Sequence, residues 1–150
     1  MTAAVAFAGS AARPLGGYVA DRVGGTKLLS VLLALVGAAY LCTSSLPALP
    51  RMVATLVVAM TCLGMGNGAV FQLVSLRFPA EIGLATGIVG MVGGVGGFLL
   101  PTMLGFMKSP TGSFGHGFLG LGVVALAAAM SLWLLVARNR AWRVSWRELA

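Results

Sequence analysis

Apolar runs of about one bilayer thickness alternate along this chain with short polar breaks. Residues 1–20 hold a single charge, Arg13. The stretch 21–27 is polar, and 28–49 is uncharged and ends between Pro47 and Pro50, prolines that favour the outside of a helix. After Arg51 comes a second uncharged run, 52–76, then the turn 77–81. A third, 82–107, is followed by a polar loop at 108–117 and a last apolar run to Ala137. A helix rising about 1.5 Å per residue needs about 20 residues to cross a ~30 Å hydrocarbon core. The pattern therefore predicts an all-α, polytopic membrane helix bundle. Its five transmembrane helices lie at about 1–20, 28–49, 52–76, 82–107 and 118–137, with a basic tail over 138–150.

The run 82–107 has a second periodicity inside it. Glycines fall at 83, 87, 90, 94 and 97, in steps of four and three, which puts them on one side of a helix. In water such a helix is poor, because glycine costs about 1 kcal/mol per residue against alanine. In lipid the missing side chains let a neighbouring backbone or a small ligand come close. The expectation is that Gly83, Gly93, Gly94 and Gly97 pack against another helix.

Composition narrows the function classes. Hydrophobic residues make up 59% of the chain and charged residues 9%, far from a soluble domain. The net charge of +7 does not point to nucleic acid, because the cations sit between apolar runs. Seven of them (Arg22, Lys27, Arg77, Arg138, Arg140, Arg143, Arg147) fall at one set of span ends, and Arg51 and Lys108 at the other. The positive-inside rule then puts the turns at 21–27 and 77–81 and the C-terminus in the cytoplasm. Trp142 and Trp146 among the tail arginines suit the lipid headgroup layer. Cys42 and Cys62 lie inside apolar runs without metal or disulfide spacing and read as packing residues. One histidine, His116, and three scattered acids form no catalytic set, so neither an enzyme nor a cofactor is expected. The start has no basic leader and opens in an apolar run, which suggests that the chain begins partway through a larger protein.

Arg13 is the most informative single residue. It precedes the 21–27 turn by eight residues, so it lies about 12 Å deep along its helix, where an arginine costs ~2.5–3.5 kcal/mol. The acids Asp21, Glu81 and Glu148 all lie at span ends or in the tail, so no acid is buried beside it. Arg13 is expected to face a water-filled path and bind an anion. The competing readings are snorkelling to the interface or pairing with Asp21. Pro14 removes an N–H donor and frees the carbonyl near Ser10, so a local break in the helix is expected beside Arg13. Asn67 and Gln72 carry amides that could donate to an anion or tie helices together. The glycine-rich runs are not nucleotide loops, because no strand precedes them and no Lys-Ser/Thr follows.

The segment Arg13-Pro-Leu-Gly-Gly-Tyr-Val-Ala-Asp21-Arg-Val-Gly-Gly-Thr-Lys27 resembles the arginine-bearing eighth helix and following loop of the nitrate/nitrite porters of the major facilitator superfamily. Gly66-Asn-Gly-Ala-Val-Phe-Gln72 followed by Arg77-Phe-Pro79 resembles the end of their tenth helix. Gly87-Ile-Val-Gly90-Met-Val-Gly-Gly-Val-Gly-Gly97-Phe-Leu-Leu-Pro101 resembles their second nitrate signature on helix eleven. The resemblance implies a partial major facilitator fold, about helices eight to twelve. It also implies an anion held between two arginines, one per half. Arg13 matches the second-half arginine, and Gly87 and Gly90 match positions that face substrate. Asp21, Arg22, Gly24 and Gly25 resemble the cytoplasmic turn that latches helix ends and gates. Helices one to seven, the partner arginine and the first signature are absent from the chain.

The expected function is therefore transport of nitrate and nitrite across the bacterial inner membrane by alternating access, with Arg13, Gly87, Gly90, Asn67 and Gln72 at the substrate. A guanidinium is a planar, permanently charged fork that meets two oxygens of a flat anion side by side. No Asp, Glu or His lies within a span, so exchange of nitrate against nitrite is expected in preference to proton coupling through this part. The expected partners are nitrate or nitrite, the lipid bilayer and a missing N-terminal half. The chain is expected to be inactive alone. The alternatives are a facilitator for another small anion, such as a small carboxylate, and a non-transporting fragment or one half of a split transporter.

Overall fold

The computed structural model describes residues 2–111 and 113–138. The tail beyond Arg138, including Arg140, Trp142, Arg143, Trp146 and Arg147, lies outside the described residues. Five α-helices follow in order: α1 (Thr2–Val23), α2 (Gly25–Ser44), α3 (Leu49–Arg77), α4 (Ile82–Thr111) and α5 (Gly115–Arg138). A single 3-10 turn, Pro79–Glu81, joins α3 to α4. No strand occurs among the described residues. The all-α bundle read from the apolar runs is the observed fold.

The breaks are tighter than the polar stretches suggest. Between α1 and α2 only Gly24 leaves the helix, at φ +93°, a backbone conformation that L side chains rarely adopt. Its N–H donates to the Ala20 carbonyl and its carbonyl accepts from Leu28 N–H, so both helix ends are satisfied across one residue. Asp21, Arg22 and Lys27 therefore ride on helix ends and not in a loop. The break between α2 and α3 carries Pro47, and Pro50 sits in the first turn of α3, where a missing N–H costs nothing. The loop expected over 108–117 is mostly helix: α4 runs to Thr111 and α5 begins at Gly115, with His116 exposed in its first turn. Lys108 lies over the Phe114 ring, 4.5 Å from its centroid.

Four helical stretches are long and apolar enough to cross a membrane: Gly25–Ser44, Leu49–Arg77, Pro79–Lys108 and Gly115–Arg138. The fifth expected span, α1, is a 22-residue helix but falls outside that set. Arg13, Pro14, Ser10 and its glycines dilute its apolar residues. The break expected at Pro14 is also not observed, since α1 runs unbroken from Thr2 to Val23. Membrane helices tolerate proline where neighbouring helices support the backbone, and α3 lies along α1 here.

Packing is uneven. α2 is central and touches α1, α3 and α5, while α1 and α3 form the most extensive pair. The core gathers Ala20, Leu28, Leu32, Val36, Cys62 and Ala69, so Cys62 is the packing residue it was expected to be. Near the other end of α2, the fully buried Thr43 hydroxyl lies 3.0 Å from that of Thr55 on α3. Gly37 and Gly122 give α2 and α5 their close approach: a Cβ on either would lie about 3.1–3.2 Å from the other's carbonyl oxygen. α4 stands apart. No α4 residue of described exposure is buried, and it touches α3, α5 and the 3-10 turn but not α1.

Candidate functional site: the groove between α1 and α3

The site begins with glycines on two helices. A Cβ on Gly64 would run into the Gly9 carbonyl, one on Gly16 into the Met65 main chain, and one on Gly68 into the Arg13 carbonyl. Gly9 completes the set: a Cβ there would lie 3.0 Å from the Met60 carbonyl oxygen. The main chains of α1 and α3 thus lie against each other, an approach only side-chain-free positions permit. Gly9 and Gly16 are two turns apart on α1, and Gly64 and Gly68 are four apart on α3, so each pair shares a helix face. Gly68 pins the backbone of Arg13 to α3.

Beside this seam lies an open groove of about 280 Å³, lined by Ala6, Gly9, Ser10, Arg13, Met60, Leu63, Gly64 and Asn67. It brings together two residues chosen from the sequence, Arg13 from α1 and Asn67 from α3. Neither has a hydrogen-bond or ion-pair partner among the described residues. The groove therefore holds a fixed cation and an amide, both free to donate, against an otherwise mostly apolar wall. Asn67 and Leu63 also line a second, more apolar cavity of about 200 Å³ between α2 and α3.

The other predicted residues lie elsewhere. Gln72 does not line the groove. Its Nε2 donates to Asp21 Oδ1 at 2.9 Å, while its Oε1 is buried without a hydrogen-bond partner. Gly25 makes room for that amide, since a Cβ there would sit 2.7 Å from Gln72 Oε1 and from Leu73 Cγ. Asp21 is thus held by α3 and does not pair with Arg13. Arg22 stacks over Tyr18 at 4.4 Å. Gly24 and Gly25 shape this corner, one by its φ and one by its close neighbour. Breaking the Asp21–Gln72 bond with Gln72→Leu should loosen α1 from α3 by about 1–2 kcal/mol, read as a lower melting temperature in detergent. An unchanged melting point would mean that the contact carries no strength.

The glycine face of α4 differs most from expectation. A Cβ at Gly83, Gly87, Gly90, Gly93, Gly94 or Gly97 would meet nothing within 4 Å. Among the described residues these glycines pack against no helix, and Gly87 and Gly90 do not face Arg13. The physical reason is the lack of a complementary surface: α4 is fastened only to α3, α5 and the turn before it. The sequence pointed to Ser10 only through its carbonyl and gave no notice of Met60 or of the seam that Gly9, Gly16, Gly64 and Gly68 form. The recurrence of Gly9 and Gly16, and of Gly64 and Gly68, was the available signal.

Comparison with known proteins bears on this arrangement. The chain is 38% identical over 130 residues to the probable nitrate transporter NarT of Staphylococcus carnosus (strain TM300), covering 85% of this chain and 33% of that protein. It is 34% identical over 123 residues to the nitrite extrusion protein of Bacillus subtilis (strain 168), covering 81% and 31%. It is 36% identical over 122 residues to the probable nitrate transporter NarT of Staphylococcus haemolyticus (strain JCSC1435), covering 80% and 31%. The chain spans about a third of the length of the curated relatives it matches. No solved structure matches it. The family model described as Major Facilitator Superfamily matches residues 1–148. With apolar helices for a multi-pass membrane protein and a match along nearly its whole length, the chain belongs to the Major Facilitator Superfamily, a family of transporters and not of enzymes.

Proposed function

We propose that the chain supplies the arginine-bearing part of a nitrate/nitrite transporter of the inner membrane, and that Arg13 binds the anion in the α1–α3 groove with Asn67 beside it. One observation carries the reading: a guanidinium without a counter-charge lies in a groove in an apolar bundle, where it costs about 2.5–3.5 kcal/mol unless something anionic comes to it. The printed names of the relatives, nitrate transporter and nitrite extrusion protein, fit that ligand class. The seven-to-two distribution of cations supports a cytoplasmic C-terminus. In this reading Gly87 and Gly90 form a smooth wall against substrate, and Gly83, Gly93, Gly94 and Gly97 a packing face. Both need helices from outside this chain, because the whole ridge is open here. The same openness favours a chain that does not transport alone and works with a further half. Asp21, with Gln72 and the Gly24–Gly25 corner, acts as the latch between α1 and α3.

The transport mode is exchange. Apart from the end residues Asp21, Glu81 and His116, the helices α1 to α5 hold no Asp, Glu or His, so no proton relay runs through them. A bound anion neutralises Arg13, and the loaded site can then reorient. The test is counterflow in vesicles carrying the protein as its gene encodes it. Labelled nitrate should enter vesicles loaded with nitrite and not empty ones. Uptake that follows a pH gradient and ignores internal nitrite would replace exchange by proton coupling. Inhibition by formate but not by nitrite would move the ligand to small carboxylates.

A further inference from the structure

We propose that Ser10 sets which anions the groove accepts, and that its ligands include planar monoanions carrying one O–H of their own, with bicarbonate as the probe. The inference rests on the anion reading above. Two observations meet at Ser10. Helical hydroxyls in this protein usually donate to a carbonyl three or four residues back, as Ser30, Thr43, Thr61, Thr86, Thr102 and Ser131 do. Ser10, in the middle of α1, makes no such bond among the described residues. Its carbonyl also lacks the usual helical donor: the residue four ahead is Pro14, which has no N–H to give. Ser10 lines the same groove as Arg13, one helical turn away.

The groove is therefore two-sided. Arg13 offers only donors, and Asn67 offers a donor and an acceptor. Ser10 adds a hydroxyl and a main-chain acceptor whose helical donor is missing. Nitrate has only acceptor oxygens, so it satisfies Arg13 and leaves the Ser10 carbonyl unanswered. Bicarbonate has the same flat, three-oxygen outline and the same charge, with a proton on one oxygen. It can set two oxygens against the guanidinium and donate its O–H to the Ser10 carbonyl. Formate presents a carboxylate without that donor. Volume does not choose among them, because about 280 Å³ exceeds any of these ions several-fold, given roughly 30 Å³ per water in the liquid. Polarity does.

The test is displacement of labelled nitrate from the protein, as its gene encodes it, in nanodiscs at fixed mildly alkaline pH. Bicarbonate is expected to displace nitrate at a concentration about tenfold lower than formate, the effect of one added hydrogen bond, to an acceptor that lacks its helical donor. In Ser10→Ala/Pro14→Ala the hydroxyl is gone and the carbonyl has its helical donor back. The bicarbonate-to-formate ratio should then fall to near one, whatever nitrate affinity itself does. Equal potency of the two ions on the unaltered protein overturns the inference while leaving the anion site intact. So does a ratio that survives in the double variant, or in Pro14→Ala alone should the double variant not fold. Absence of saturable nitrate binding, by contrast, removes the anion reading itself.

Discussion

Gly68→Leu is expected to keep the protein from accumulating as a folded membrane protein, whereas Gly90→Leu should leave the melting temperature of this chain within a degree or two. A side chain at 68 has nowhere to go. Its first carbon already meets the Arg13 carbonyl, with the Gly17 nitrogen 2.9 Å away, and both are main-chain atoms of a continuous helix. α1 would have to move off α3 along the whole seam that Gly9, Gly16, Gly64 and Gly68 create. Overpacking typically costs about 1–3 kcal/mol when side chains can shift, and more where backbone must move. Against stabilities of about 5–15 kcal/mol that is enough to unfold much of the population. At Gly90 the same four carbons enter open space. Fluorescence-detected size exclusion with a thermal ramp would compare the two directly. Equal losses at both sites would mean that α4 is as tightly packed as the seam, contrary to the fold described.

Arg13→Leu should raise stability and abolish transport together. The unpaired guanidinium lies in an apolar bundle, and replacing it removes a cost of about 2.5–3.5 kcal/mol. The same substitution removes the only cation lining the groove among the described residues. Arg13 is exposed in the groove of this chain, so its loss should weaken anion binding by about tenfold or more. Arg13→Lys keeps the charge but not the planar fork, and should retain weak transport with poorer discrimination among anions. A residue held for packing would behave in the opposite way, with stability falling and transport following it. Melting curves and vesicle uptake on the same preparations of the protein as its gene encodes it separate the two cases.

Much of the helical layout is legible in the sequence, because span length, proline punctuation and single charges are local signals. Gly24 and Pro50 fall where those signals put a helix end. Helix ends are less legible: 21–27 and 108–117 are rich in polar residues, yet helix continues through most of both. Pro14 misleads for a related reason, since a lost N–H breaks a helix only where nothing supports it, and α3 supports α1. Arg13 and Asn67, which line one groove, each stand out in the sequence as an isolated polar position in an apolar run. Gln72 looks equivalent from sequence, but Asp21, 51 positions away, claims its amide.

The glycines teach the sharper lesson. The longest pattern, on α4, has no partner among the described residues, while the sparser pairs Gly9 and Gly16, and Gly64 and Gly68, form the seam. Spacing reveals that a face is smooth. It does not reveal what the face meets, because that depends on which helices lie alongside.

The central claim is that the α1–α3 groove holds an anion through Arg13. The direct measurement is saturable binding of labelled nitrate to the protein as its gene encodes it, in nanodiscs, beside Arg13→Gln at matched folded fraction. The account predicts a saturable signal that nitrite competes away and that Arg13→Gln lacks. Saturable binding of equal strength in Arg13→Gln would contradict it.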